Sequence, residues 1–467
     1  MTRLVTSRMN DQIAHPASFR DPSGFVFKEG NGIFRRINPI YFANYSKLMN
    51  SGLYSELIAQ KLLIPHAQTS KDDEKIIIQP DKIPFILYPY EWSFLQLKDA
   101  ALLTLSIQRI ALEKDMVLKD ATAFNIAFHE GRPIFIDTLS FEKYIDGTPW
   151  HAYGQFCSFF LAPLVMCAYV GLEAPTLLAT YIDGLPLELV SNSLPLRSRL
   201  KPLTLLHIHG LAKYQRRYRR SFASSSESGV SKAKLLAIID GLYEGIRALS
   251  PKIATGWADY YSRTNYQEPA FEDKKGIVCD LINESRASTI WDAGGNDGTF
   301  AREALERTKV QFAYVSDVDG GAVNSNYAIV RERRETTLLP FVADFANPSP
   351  GIGFNNEERE SLTSRLKGAH IDLILALALI HHITLTNNIS FEMSASYFAQ
   401  ISNKLIIEFP DVDDSWVNKL LSGKRTFKEH FAFYGIDNFE NAYSRHFTLK
   451  SKRQVKGTKR TIFFWEK

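Results

Sequence analysis

The stretch IWDAGGNDGTFAREAL, residues 290–305, joins an apolar strand end to a glycine-rich turn and then to a helix-like run. Glycines in such a turn let a ligand approach the backbone closely, and the N-terminus of the following helix favours polar groups of that ligand. Turns of this kind usually hold a nucleotide or a nucleoside cofactor. The stretch therefore predicts an α/β fold with a ligand beside the glycine-rich turn.

Two classes of nucleotide-binding loop do not match this turn. A Walker loop requires Gly-Lys-Ser or Gly-Lys-Thr, whereas Gly298 is followed here by Thr299 and Phe300. A dinucleotide fingerprint requires glycines at the second and fifth places after Gly294, where this sequence has Asn296 and Thr299. These mismatches argue against a loop that holds a pyrophosphate.

Two carboxylates lie around the turn, at Asp292 and Asp297. Two negative charges repel a pyrophosphate, whereas they attract a ligand that carries an ammonium and a sulfonium group. S-adenosylmethionine carries both groups, so the charges around the turn indicate this cofactor.

The segment WDAGGNDG resembles the first motif of class I S-adenosylmethionine-dependent methyltransferases, in which an acidic residue precedes a glycine-rich loop. The resemblance implies that the cofactor loop consists of Asp292, Gly294, Gly295, Asn296 and Gly298. Asn296 replaces the family's usual middle glycine, and asparagine is the residue other than glycine that best tolerates a left-handed backbone. The turn is therefore expected to keep its shape.

Two acids follow in the order that this family requires. FAYVSDVDGGAV, residues 312–323, places Asp317 at the end of a second strand, where a carboxylate would accept hydrogen bonds from both ribose hydroxyls. PFVADFANPSP, residues 340–350, ends a third strand. The resemblance implies that Asp344 lies near the adenine amino group and that Phe345 packs on the base.

The remaining strands complete a methyltransferase-like sheet. Residues 371–383, IDLILALALIHHI, show the continuous apolar pattern of a parallel strand that is covered on both faces. Residues 404–410, KLIIEFP, read as a fifth strand, and residues 445–467 read as a closing hairpin with a Lys-Gly turn. The prediction is a Rossmann-like methyltransferase domain over residues 255–467, with a mostly parallel sheet and an antiparallel C-terminal hairpin.

A base for methyl transfer to an oxygen or nitrogen acceptor is expected after the fourth strand. His381 and His382 lie there, at the edge where open α/β sheets place their sites, and either could remove the acceptor's proton. The alternative is that one histidine caps the strand end and the other packs. Near the expected substrate mouth, a group of acids after the fifth strand reads more simply as a solvated acidic loop: Glu408, Asp411, Asp413 and Asp414. Before the glycine-rich turn, a group of aromatic residues could form a lid over cofactor or acceptor, although a packed helix face is the simpler interpretation: Trp257, Tyr260, Tyr261 and Tyr266.

The N-terminal half contains a second motif, LKDATAFNIAFHEGRPIFIDTLSFE, at residues 118–142. It resembles the catalytic and metal-binding segment of kinase-like and aminoglycoside-phosphotransferase-like folds. The resemblance implies that Asp120 orients a phosphate acceptor and that Asn125 and Asp137 bind magnesium. It thus implies an α+β kinase-like domain, which would use Mg-ATP if the site is active.

Several positions depart from the kinase pattern. Leu118 and Lys119 replace the usual residues before the first acid, and Thr138-Leu139 replaces Phe-Gly after the last. No clear glycine-rich nucleotide loop is visible, and Lys28, Arg35 and Arg36 are the candidates for the phosphate-binding cation. The departures favour a kinase-like fold over phosphoryl transfer. Two alternatives are hydrogen bonding within a tight loop and a degenerate module that binds substrate or a partner.

The join between the halves is predicted at a serine-rich, polar stretch, residues 219–234. This gives an N-terminal domain over residues 1–222, a linker and lead helix over residues 223–254, with Ser231 as helix cap, and the methyltransferase domain.

Two clusters before the join have competing interpretations. Residues 213–220 interleave basic and aromatic side chains, which suits RNA, although a solvated helix face is the simpler interpretation. His207 and His209 could ligate a metal on a strand, but without further ligands nearby a packed or hydrogen-bonded pair is favoured, and no metal site is assigned.

Composition indicates an ordinary soluble protein. The chain has 467 residues, of which 45% are hydrophobic, so two domains can each bury a core. A net charge of +4 does not require a nucleic-acid partner. The 3 cysteines show no metal-binding spacing, and neither a signal peptide nor a transmembrane segment is recognised, so a cytoplasmic location is expected.

YPYEWSF, PWHAYGQFC and the two motifs above also resemble, over nearly the whole chain, a bacterial group that includes a rhizobial host-specific nodulation protein. We therefore predict a bacterial methyltransferase whose acceptor is a glycan, a lipid-linked molecule or another specialised metabolite. Three alternatives stay open: an RNA methyltransferase that uses residues 213–220, a bifunctional kinase-methyltransferase, and a binding protein without activity. The acceptor atom and the oligomeric state do not follow from the sequence.

Overall fold

The computed structural model describes residues 13–220, 229–251, 268–424 and 428–467. The N-terminal part begins with an antiparallel sheet in the strand order β1-β2-β4-β3. Its strands are β1 Gly24–Glu29, β2 Gly32–Ile37, β3 His66–Lys71 and β4 Ile76–Pro80, followed by the short strands β5 Met116–Leu118, β6 Ile126–His129, β7 Arg132–Phe135 and β8 Phe141–Lys143. Its helices are α1 Phe42–Asn50, α2 Leu53–Ala59, α3 Phe94–Glu113, α4 Tyr153–Phe156, α5 Ala162–Tyr169, α6 Leu187–Ser193, α7 Pro202–Thr204 and α8 Leu211–Arg220.

Local sequence explains the main N-terminal elements. Strands β1 and β2 form a hairpin whose turn lies between Glu29 and Gly32. The long helix α3 begins at a capping box in which the Gln96 side chain accepts a hydrogen bond from the Ser93 backbone N–H (2.9 Å). Strands β6 and β7 form a second hairpin just before Asp137.

The C-terminal part is a seven-stranded mixed sheet in the order β11-β10-β9-β12-β13-β15-β14. Its strands are β9 Thr289–Ala293, β10 Phe312–Asp317, β11 Leu338–Val342, β12 Leu373–Ala376, β13 Lys404–Pro410, β14 Thr448–Gln454 and β15 Arg460–Glu466. Its helices are α10 Glu268–Ser285, α11 Thr299–Arg307, α12 Gly320–Arg333, α13 Leu362–Gly368, α14 Phe391–Ile401, α15 Ser415–Ser422 and α16 Ile436–Tyr443, and α9 Lys232–Arg247 lies between the two parts in sequence.

The strand order indicates at which edge of this sheet a ligand would bind. Strands β9 to β13 are parallel, whereas β15 runs antiparallel to both β13 and β14, as predicted for the closing hairpin. The chain order reverses between β9 and β12, which are neighbours in the sheet. Open sheets bind ligands in the crevice outside the carboxyl ends of strands at such a switch point. The mixed sheet therefore fits the predicted Rossmann-like methyltransferase fold.

The two parts share one hydrophobic core, which extends from Leu48 to Trp465. Polar contacts cross the same interface: the Gln96 side-chain amide donates to the Pro340 carbonyl (2.9 Å), and the Tyr327 hydroxyl donates to Asp99 (3.0 Å). The predicted boundaries at residues 222/223 and 254/255 lie outside the described residues, so this division stays a prediction.

Other expectations concern the N-terminal helices. The apolar stretch around Pro163 forms buried helical segments, and within the described residues no helix is long and apolar enough to cross a membrane. All three cysteines are buried and unpaired. The expectation that His207 and His209 lie on a strand is wrong, because residues 205–210 continue helically into α8.

Candidate functional site

The glycine-rich turn is anchored to the neighbouring strand. The backbone N–H groups of Gly294 and Gly295 both donate to the Ser316 carbonyl on β10, at 2.8 and 3.0 Å. Asn296 has a φ of +49°, so the left-handed conformation expected at this position is confirmed. A Cβ atom at Gly295 would lie 2.7 Å from the Asp292 carboxyl group, which explains why this position requires glycine.

A cavity of about 370 Å³ lies between this turn and the ends of the neighbouring strands. Its volume falls in the range of pockets for small molecules and cofactors. Most of the predicted cofactor residues line it, namely Asp292, Gly294, Gly295, Asn296, Asp317, Asp344 and Phe345. Gly298 does not line the cavity, because it precedes α11 as the N-cap residue, with a φ of +79°.

Two buried carboxylates give the cavity a negative character. Asp292 is only 1% exposed, and its Oδ2 atom accepts no hydrogen bond from the residues that the structure describes. Burial, reinforced by the nearby charges of Asp317 and Asp297, raises the pKa of Asp292 to about 7, although Lys274 opposes the shift. Burial likewise raises the pKa of Asp317 to about 6.

Asp317 is held in place by the backbone on both sides. Its Oδ2 atom accepts from the Asn296 N–H (3.0 Å), and its Oδ1 atom accepts from the Asp319 N–H (2.9 Å). Each carboxylate oxygen can accept a second hydrogen bond. Asp317 can therefore bind a ligand's hydroxyl groups while it fixes the loop.

Sequence reasoning missed Lys274, which also lines the cavity from α10. Its ammonium group pairs with Glu408 (2.8 Å), and the two side chains are 3% and 0% exposed. Arg460 approaches the same carboxylate (3.8 Å) and pairs with Asp414 (2.8 Å). Glu408 and Asp414 thus belong to a buried ion-pair network, and the expectation of a solvated acidic loop is wrong for these two residues.

The histidine pair lies beyond the end of the fourth strand, which stops at Ala376. His382 lines the cavity, whereas His381 is 1% exposed and packs behind it with ring centroids 4.2 Å apart. Burial lowers the pKa of both imidazoles, that of His381 well below its ordinary value. Both rings are therefore neutral near pH 7, the state in which an imidazole accepts a proton.

An aromatic and apolar wall closes another side of the cavity. Phe345 packs edge-on against Tyr397 with ring centroids 5.0 Å apart, and both residues line the cavity. Asp344 accepts from the Ala346 N–H (2.8 Å), which fixes the turn beside Phe345. Tyr397 gave no signal in the sequence, because it lies on α14, far from the quoted motifs.

The kinase-like residues line a second cavity, of about 740 Å³, in the N-terminal part. It brings together Asp120, Asn125 and Asp137, as the motif predicts. The hairpin turn Gly30–Gly32 between β1 and β2 also lines it, although the sequence did not identify this turn as part of a ligand site. Among the candidate phosphate-binding cations, Lys28 and Arg35 line this cavity and Arg36 does not.

The side chains that the motif assigns to magnesium are engaged with other side chains in this second cavity. The Arg35 guanidinium pairs with one oxygen of Asp137, and the Ser140 hydroxyl donates to the other. The Asn125 amide in turn donates to Ser140 (3.0 Å). Asn125 and Asp137, the implied magnesium ligands, are thus linked through the Ser140 hydroxyl, and Asp137 also pairs with the Arg35 guanidinium. In the described part of the chain, no group of three His, Cys, Asp or Glu residues is arranged to hold a metal ion.

One segment of the C-terminal part forms a wall of both cavities. Residues 343–346 and Leu362 line the first cavity, whereas residues 358–360 and Arg365 line the second. Leu362 and Arg365 belong to the same helix, α13. Helix α13 therefore contributes lining residues to both cavities.

This shared segment is tied to the N-terminal part by ion pairs. Arg20 donates two hydrogen bonds to Glu358, at 2.6 and 2.9 Å. Arg365 pairs with Glu91, and its side chain is 6% exposed while that of Glu91 is 2% exposed. The ion pairs thus hold the wall of the first cavity against the N-terminal half.

The remaining sequence candidates are placed as follows. His207 bonds to the Tyr153 hydroxyl (2.6 Å), and His209 bonds to Ser191 (2.7 Å) and Ser198 (2.8 Å), so the expected hydrogen-bonded pair is confirmed. The basic side chains of α8 that the structure describes, Lys213, Arg216 and Arg217, are exposed. The side chains of Arg219 and Arg220, and the aromatic residues Trp257, Tyr260, Tyr261 and Tyr266, lie outside the described residues.

No protein-family model matches the sequence. Along its whole length the chain is similar to the nodulation protein NoeA of Rhizobium meliloti (strain 1021), with 29% identity over 489 residues that span 100% of each chain. The predicted resemblance to a rhizobial nodulation protein is thereby confirmed.

Among solved structures, the chain is similar to magnesium protoporphyrin IX methyltransferase (ChlM) from Synechocystis PCC 6803 with bound SAH, at 12% identity, a TM-score of 0.31 and coverage of 45% of this chain and 92% of that chain. It is also similar to the methyltransferase domain of bacterial CtHen1, at 11% identity, a TM-score of 0.30 and coverage of 42% and 100%. A third similarity, at 12% identity and a TM-score of 0.31, is to the bifunctional kinase-methyltransferase WbdD, with coverage of 43% and 40%. TM-scores this low do not support a fold assignment. The fold of the C-terminal part rests instead on the strand order of its seven-stranded sheet.

Proposed function

We propose that the chain is an S-adenosylmethionine-dependent methyltransferase that acts on a glycan, a lipid-linked molecule or another specialised metabolite. One observation carries the proposal: a cofactor-sized cavity at the switch point of the sheet is bounded by the glycine-rich turn and by the buried carboxylates of Asp292 and Asp317. The whole-length similarity to a nodulation protein supports an acceptor from specialised metabolism.

The residues of the cavity fit the two ends of this cofactor. Asp317 would accept the ribose hydroxyls, and the unsatisfied oxygen of Asp292 would face positive charge. Asp344 and Phe345 would hold the adenine ring against Tyr397. When bound, the cofactor supplies an electrophilic methyl group, and the protein's tasks are to orient the acceptor and to remove its proton.

The proposal is tested by titrating the purified full chain with S-adenosylmethionine in a calorimeter, and then by incubating it with methyl-labelled cofactor and panels of glycan, lipid-linked and small-molecule acceptors. Saturable binding followed by label transfer supports the function. Binding without transfer to any panel would favour a binding protein, and lack of binding would overturn the cofactor assignment.

His382 is proposed as the base, because it lines the cavity in its neutral form. His382→Gln is expected to lower the methyl-transfer rate by about 10²- to 10⁴-fold, since the proton then has no acceptor. Cofactor affinity should stay within about threefold, because glutamine keeps much of the side-chain volume. His446→Gln, at a partly exposed histidine that pairs with Glu392, is the control. Unchanged turnover in His382→Gln would exclude this base.

Cofactor binding is expected to release protons between pH 5.5 and pH 7. Before binding, Asp292 and Asp317 have raised pKa values of about 7 and about 6, so both are partly protonated in this range. A cationic ligand favours the ionised carboxylates and lowers both pKa values, so protons leave and affinity rises with pH. The α-amino group of the ligand, with a pKa of about 7.7–8.0, stays charged throughout.

Calorimetric titrations in two buffers of different ionisation enthalpy measure this proton release directly. Asp292→Asn cannot ionise, so the number of protons released at pH 6.5 should fall by about half or more. Proton uptake on binding, or an affinity that does not change with pH in the unmodified chain, would contradict the proposed charge complementarity.

The N-terminal part is proposed to recruit or shape the acceptor. Its lining combines polar residues, such as Asp120 and Asp137, with apolar residues, such as Ile83 and Ile86. Such a mixed lining suits a ligand with both a polar and an apolar part. The shared segment places this cavity next to the proposed cofactor cavity, which supports a role in presenting the acceptor.

A further inference from the structure

The surface around residues 196–206 combines exposed leucines with unpaired cations. Leu196, Leu200 and Leu206 are 78%, 82% and 61% exposed, which is unusual for so many large aliphatic side chains in one short stretch. Arg197 and Arg199 lie between the first two leucines and are also exposed. We name this the leucine–arginine surface and define it as Leu196, Arg197, Arg199, Leu200, Leu205 and Leu206.

The leucines are exposed on a well-held scaffold. Ile208 and Val190 beneath them are 0% exposed, and Ser198 is buried between the two arginines. His209 bridges the hydroxyl groups of Ser191 (2.7 Å) and Ser198 (2.8 Å), which ties α6 to the segment that carries the surface. The exposure therefore belongs to the folded state and does not reflect an unfolded loop.

The charge around this surface is strongly one-sided. Residues 189–220 contain eight Lys and Arg residues and no Asp or Glu, although the whole chain has a net charge of only +4. The rest of the sequence is therefore net negative. Arg197, Arg199, Lys201 and Lys213 are exposed and have no carboxylate partner within the described ranges, and the Arg197 guanidinium lies over the Tyr169 ring at 5.8 Å.

We propose that the leucine–arginine surface docks the protein on an anionic lipid bilayer. Aliphatic side chains enter the acyl boundary while neighbouring arginines meet lipid phosphates, and the combination of the two is what interfacial membrane binding requires. Single-stranded nucleic acid stacks its bases on aromatic platforms, and the leucine–arginine surface as defined contains no aromatic residue. A second copy of the chain would bring two positive surfaces together. The proposal is independent of the methyltransferase function.

The test is flotation of the purified full chain with vesicles of phosphatidylcholine and phosphatidylserine at a 70:30 ratio, compared with pure phosphatidylcholine. We expect binding at least about tenfold stronger to the anionic vesicles, and weaker binding at 500 mM than at 50 mM NaCl, because each lysine or arginine contributes electrostatic attraction that salt screens. Leu196→Gln/Leu200→Gln and Arg197→Gln/Arg199→Gln should each lower the binding about tenfold or more.

Two control variants change matched side chains elsewhere. Ile40→Gln/Ile145→Gln removes exposed apolar side chains, and Lys71→Gln/Lys309→Gln removes exposed charges outside the surface. Both controls should bind vesicles like the unmodified chain. Because all substituted side chains are exposed, thermal unfolding should be unchanged in every variant.

Four results would overturn the proposal. The first is no binding to either vesicle, and the second is equal loss in the control variants. The third is a light-scattering dimer that dissociates in Leu196→Gln/Leu200→Gln, which would assign the surface to a second copy. The fourth is binding to single-stranded RNA that is tighter than binding to vesicles and that disappears only in the arginine variant. This result would assign the surface to nucleic acid.

Discussion

Asp317→Ala is expected to weaken S-adenosylmethionine binding by about 100-fold or more. The carboxylate would accept hydrogen bonds from two ribose hydroxyls, and each hydrogen bond to a charged group contributes about 1.5–3 kcal/mol. Both bonds are lost together in the alanine variant. Calorimetric titration at pH 8, where Asp317 is ionised given its pKa of about 6, measures the effect.

The alanine also removes the acceptor for the backbone N–H groups of Asn296 and Asp319, so loop damage must be separated from lost ribose contacts. Asp317→Asn keeps a side-chain oxygen, and it should therefore retain more affinity than the alanine variant. Asp413→Ala, on the exposed loop after β13, is the matched control and should bind normally. An Asp317→Ala affinity within about threefold of the unmodified chain would remove Asp317 from the cofactor site.

Arg365→Met is expected to lower the free energy of unfolding by about 3–5 kcal/mol, because it leaves the buried Glu91 carboxylate without its partner. Arg365 also donates to the Ile86 carbonyl (2.7 Å) and lies over the Tyr88 ring at 4.5 Å, so several contacts between the two halves are lost at once. Urea unfolding followed by circular dichroism measures the change.

A double replacement separates the cost of a buried lone charge from that of lost packing. Arg365→Met/Glu91→Leu removes both charges, and it should recover most of the stability lost in Arg365→Met. Arg307→Met breaks a more exposed pair with Glu303 and should cost less than about 1 kcal/mol. Equal losses of unfolding free energy in Arg365→Met and Arg307→Met would show that the buried pair between the halves stabilises the fold no more than an exposed pair does.

Local patterns predicted much of the C-terminal architecture. The turn at Asp292 and Gly295, the strand that ends at Asp317 and the closing hairpin all lie where their sequences indicate. The left-handed conformation of Asn296 was expected because asparagine tolerates the backbone conformation of the glycine that it replaces. These features depend on residues that are close together in the chain. They can therefore be predicted from one sequence.

Features that depend on distant residues were not predicted. Lys274 and Glu408 are separated by 134 residues, and neither has a neighbour in sequence that indicates their pairing. The Arg35 guanidinium reaches Asp137 across 102 residues and changes the interpretation of the kinase-like motif. The acidic loop after β13 was misjudged for the same reason, because Asp414 meets Arg460 only when β15 packs beside β13.

Because α13 and the segment before it line both cavities, a ligand in either cavity would contact an element that also lines the other. If a ligand in the N-terminal cavity tightens cofactor binding by about tenfold, the cofactor must tighten that ligand's binding by the same factor. An acceptor in the N-terminal cavity would then bind most tightly to protein that has already bound the methyl donor. The order in which the methyl donor and the acceptor bind would then depend on α13, which lines both cavities.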